Sequence, residues 1–124
     1  LPKTGIEIKI GAIIYIMLLY PRICTQFDEE ISLLDFKSKN LNELKDEILK
    51  LVNKVPEITS KDLQQNMIIK GFTITIKSFI QNNYPARLNL DLKNINDNQI
   101  DKIFEELINL VDIRKIISSK NTVK

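Results

Sequence analysis

Few side chains in these 124 residues could carry out chemistry. Cys24 is the one thiol, and there is no histidine. A thiol becomes a nucleophile when a neighbouring base or cation favours the thiolate, and cysteine with histidine is the common donor set for zinc. Without histidine or a second cysteine, the sequence excludes histidine-based triads, His–Cys zinc sites and an intrachain disulfide. Cys24 lies in an apolar stretch and is expected to be a small core residue. The acidic run Asp28-Glu29-Glu30 could in principle bind a metal or move protons. No basic, metal-binding or nucleophilic companion is legible near it, so it is expected to be the solvated N-terminal turn of a helix. There is no P-loop, no G-x-G-x-x-G and no Cys-x-x-Cys, and three glycines in total leave little for a phosphate cradle. No catalytic residue, metal, cofactor or small-molecule substrate is expected.

Leu1-Pro2-Lys3-Thr4-Gly5 matches the sortase sorting pentapeptide, but that signal works near a C-terminus, before a hydrophobic span and a short basic tail. Here over a hundred residues follow it, and the match is read as coincidental. The chain starts at Leu1 without Met, so it is expected to be part of a longer protein or a processed one.

The elements that would have to position any site come from an unusual composition. Ile occurs 22 times, Lys 15 and Asn 12, whereas Ala occurs twice. These three residues have AT-rich codons, so the bias points to an AT-rich genome and weakens arguments from strand propensity. Apolar residues make up 44% and charged ones 27%, enough for a soluble globular domain with a real core. The net charge of +2 is too small to suggest nucleic acid as a partner. Cysteine usage fits a reducing, cytoplasmic setting.

The apolar run Ile10–Tyr20 is shorter than the roughly 20 residues that span a bilayer. It is expected to be a buried helix at the centre of a bundle, although Ile6-Glu7-Ile8-Lys9-Ile10 alternates like a strand. Residues 41–54 repeat Leu41, Leu44, Ile48, Leu51 and Val55 at helical spacing, with Asn40 as N-cap and Glu43 at a capping-box distance. Residues 60–70 are expected to be a short helix capped by Thr59 or Ser60 and closed by Gly71. Residues 72–82 read as helix on the face Phe72, Ile76, Phe79 and Ile80. Residues 83–96, with Pro85, Leu88, Leu90 and Leu92, are expected to be a connection that packs on the core. Residues 97–117 are expected to be a long helix, acidic early and basic late, in line with the helix dipole. The expected fold is therefore all-α: a helical bundle subdomain over 1–95, followed by a C-terminal helix or helical hairpin over 96–124 for partner binding.

Two stretches carry a resemblance. Leu18-Leu19-Tyr20-Pro21-Arg22-Ile23 ends an apolar helix at a proline. Leu33-Leu34-Asp35-Phe36-Lys37-Ser38-Lys39-Asn40-Leu41-Asn42-Glu43-Leu44 then leads into Ile48-Leu49. With Thr59-Ser60-x-x-Leu63 and the Arg114-bearing terminal segment, this resembles the C-terminal helicase-binding domain of bacterial DNA primase over about residues 6–117. The resemblance implies a non-catalytic helical module. It would dock the primase, a nucleotidyltransferase, on the N-terminal domain of the hexameric replicative DNA helicase within the primosome. It also implies that the zinc-binding and polymerase domains lie upstream in the parent protein. Carried over by position, the helicase contacts fall on Leu110, Ile113, Arg114, Ile116 and Ile117. Arginine beside apolar anchors is a frequent hot-spot composition.

Two other readings stand beside it. One is the N-terminal helical domain of a replicative helicase, or another helical interaction module. The other is a weak nucleic-acid-binding domain using Lys61, Lys70, Lys77, Arg87 and Lys93. Direct DNA binding and membrane association are not expected under the primase reading.

Overall fold

The helix at the middle of the fold, α1 (Gly5–Leu19), carries Glu7 and Lys9 in its first turns and from Ile10 onward is apolar on every side. Such a helix has no face to offer water and must be covered all round. The computed structural model, which describes residues 5–112, covers it in this way. Ile10, Gly11, Ala12, Ile13, Ile14, Ile16, Met17 and Leu18 are all buried. The alternating stretch 6–10 is helical, because the run that follows supplies a continuous apolar surface for helices to pack on.

Pro21 ends α1, and two one-turn helices follow: α2 (Arg22–Gln26) and α3 (Asp28–Ser32). Next comes α4 (Lys39–Lys54), strongly amphipathic, with Leu44, Ile48, Leu49 and Val52 inward. Its N-cap is Ser38, not Asn40 as expected. The Ser38 side chain accepts a bond from the Leu41 N–H at 3.2 Å, because the extended backbone of Ser38 places its hydroxyl over the first turn. Asn40 already lies within the helix and reaches across to Thr75 on a neighbouring helix.

Helix α5 (Ser60–Met67) is capped by Thr59, whose hydroxyl accepts from the Asp62 N–H. A widened turn over Ile68–Phe72 leads into α6 (Thr73–Asn82). The direction changes at Gly71, which has φ +103°. A side chain there would strain the backbone, so glycine ends the first helix as the sequence suggested. Asn83, in the left-handed region, ends α6. The segment that follows contains the short helix α7 (Tyr84–Arg87) and a 3₁₀ turn at Leu92–Asn94. Helix α8 (Asp97–Val111) begins with a full capping box between Asn96 and Gln99.

Among the described residues there are eight α-helices and no strand. The chain is all-α. Helices α2 and α4 to α8 pack around α1, and α3 reaches the core through α2 and α4. Residues 97–111, which the sequence reading assigned to the C-terminal element, bury Ile100, Phe104, Leu107, Ile108 and Val111 in the same core as α1. Helix α8 runs antiparallel to α1: Asp97 and Asp101 meet Arg22 just past the end of α1, and Val111 shares a groove with Ile10. Of the stretch 97–117 expected to be helical, the described part is helix over 97–111, and residues 113–117 lie outside the described residues. Asp112 is extended at φ −75°, ψ 102°, and an acid at a helix C-terminus opposes the dipole.

Candidate functional site

Of the residues expected to bind a partner, Leu110 is described, and it lies 52% exposed on α8. Its neighbours Leu107, Ile108 and Val111 all point into the core, so Leu110 is the large apolar side chain that α8 turns outward. Ile113, Arg114, Ile116 and Ile117 lie outside the described residues.

A groove of about 710 Å³ lies at the end of the bundle where α1 begins and α8 ends. Helix α1 supplies Ile6, Glu7, Ile10 and Gly11, α6 supplies Ile74, Thr75, Ser78 and Phe79, and α8 supplies Val111. The connection before α4 contributes Asp35, Phe36, Lys37 and Ser38. Tyr84 of α7 completes the wall. The lining of the groove is mainly apolar, with polar side chains from the connection before α4, from α4 and from α6 among it.

Two local devices shape it. The first is Gly11. A methyl group added there would run into the Tyr84 ring, so the absence of a side chain lets α7 lie against α1. Phe79 meets the same ring edge-on, with centroids 5.7 Å apart, and Arg87 lies 5.4 Å from its centroid on the ring face. The second is Lys45, a buried cation whose ammonium donates to the carbonyls of Leu34 and Ser32. It thereby satisfies the last carbonyls after α3 and fixes the bend that brings Phe36 to the groove.

The rim charges are held by local bonds. Asp35 accepts from the Asn42 side chain at 3.0 Å and from the Lys37 N–H at 2.8 Å, and it pairs with the Lys37 ammonium at 3.3 Å. These bonds, that from Asn42 foremost, hold its carboxyl down at about 2. The polar wall is bonded within itself too: Asn40 donates to the Thr75 hydroxyl at 2.9 Å, and Asn82 donates to the Ser78 hydroxyl at 3.2 Å.

Elsewhere, Cys24 is buried, and desolvation pushes its thiol up to about 12, so it is no nucleophile. Asp28, Glu29 and Glu30 form the first turn of α3, where Asp28 accepts from Asn53. Among the described residues, no group of acids and cysteine could hold a metal ion, and no helix is long and apolar enough to cross a membrane. Of the cations that a nucleic-acid reading would need, Lys70 pairs with Glu47 at 3.1 Å and Arg87 covers Tyr84.

Sequence reasoning missed Gly11, Lys45 and Tyr84. Gly11 carried a signal, as a glycine inside an uninterrupted apolar helix, where it costs about 1 kcal/mol relative to alanine unless something needs the space. Lys45 carried none, because it looks like any other charge on the polar side of α4. No protein-family model, curated protein or solved structure matches this chain. The class that fold and surface define is an all-α helical domain.

Proposed function

We propose that this chain is a protein-docking module, with the N-terminal domain of a hexameric replicative DNA helicase as its partner and a bacterial DNA primase as its parent protein. The observation that carries this reading is the outward-facing Leu110 at the end of α8, on a helix whose other large apolar residues face the core. An apolar anchor at the close of a rigid helix, followed in sequence by Ile113, Arg114, Ile116 and Ile117, has the composition of a binding hot spot. The partner is inferred from the resemblance of Leu18–Ile23 and Leu33–Leu44 to the helicase-binding domain of primase. In the structure Pro21 follows the end of α1, residues 33–38 form a non-helical connection, and Ser38 caps α4.

Titration against the replicative helicase of the same organism, with calorimetry for affinity and light scattering for stoichiometry, tests this reading. Saturable binding to the hexamer is expected. The double variant Arg114→Ala, Ile117→Ala should weaken it by about 2 kcal/mol or more while the helical spectrum is kept. A folded domain that does not bind the helicase overturns the assignment of partner.

A further inference from the structure

We draw no further inference here: the strongest candidate, the mainly apolar groove lined by α1, α6 and α8, carries nothing, because nothing among the described residues shows what covers it.

Discussion

The Tyr84 ring lies directly on the backbone of Gly11, with no room between them for a single methyl group. This contact ties α7 to the central helix and sets one wall of the groove. Gly11→Ala should therefore lower stability, although alanine is the better helix former. Propensity favours alanine by about 1 kcal/mol, while displacing a packed ring and its neighbours costs roughly 1–3 kcal/mol. Urea denaturation of Gly11→Ala measures the balance. In a Gly11→Ala, Tyr84→Ala pair the clash is gone, so the alanine at position 11 should cost much less than in the parent. Equal costs in both backgrounds would mean that the ring is not what requires the glycine.

Gly71 makes a contrasting case. A side chain there would meet open space, so the only penalty is its φ of +103°. Gly71→Ala should cost about 1–2 kcal/mol in a denaturation midpoint, with Gly71→Asn less harmful because asparagine tolerates the left-handed region.

Lys45 should matter more than a charge on an amphipathic helix usually does. Lys45→Met keeps most of the apolar stem and removes the ammonium. The buried Leu34 carbonyl then loses its donor, at a cost of about 1–3 kcal/mol, while the Ser32 carbonyl, on an exposed residue, can turn to water. Thermal unfolding of Lys45→Met against Lys50→Met, on the exposed side of the same helix, separates the effects. Similar melting temperatures for the two would contradict the capping role.

Most of the architecture could be read from the sequence because it follows from apolar spacing. The faces of α4 and α8 repeat at three and four residues, and α1 is apolar from Ile10 to its end, so each states how it must be buried. Caps were read less well. Asn40 and Ser38 are both good N-caps, and only the extended backbone at Ser38 decides between them. The groove was not legible at all. Its wall joins Ile10, Phe36, Thr75 and Tyr84, which are far apart in sequence and individually ordinary. Tyr84 in particular sat in a stretch read as a connection, and its role depends on Gly11, which comes from the other end of the chain.

The Asp35 carboxyl ties acid stability to the turn before α4. Its folded value of about 2 lies below the ordinary 3.8, held there first by the Asn42 side chain and then by Lys37. A depressed carboxyl favours the fold above the unfolded value, and the benefit is lost as pH falls through the folded one. Stability should therefore decline between about pH 4 and pH 2. In Asp35→Asn the decline over that window should be shallower. Chemical denaturation at stepped pH reads the slope, and parallel curves for parent and variant would assign the acid sensitivity to other carboxylates.

The placement of α8 also dictates how the docking reading should be tested. Removing residues 97–124 would take Ile100, Phe104, Leu107 and Ile108 out of the core, together with the Phe27–Phe104 ring contact at 5.3 Å. It would also break the Arg22–Asp101 bridge at 2.9 Å. Each large apolar deletion from a packed core costs several kcal/mol, about 2–5 for one side chain cut to alanine, so this truncation should unfold the domain. Lost helicase binding would then say nothing about the site. Truncation after Asp112 keeps the whole described helix and removes Ile113, Arg114, Ile116 and Ile117. Leu110→Asp changes an exposed position and should leave the melting temperature within a few degrees of the parent. If the module docks through this end of α8, both variants stay folded and bind the helicase at least tenfold more weakly, the scale of a lost hot spot. Undiminished binding by both would move the interface to another face of the bundle.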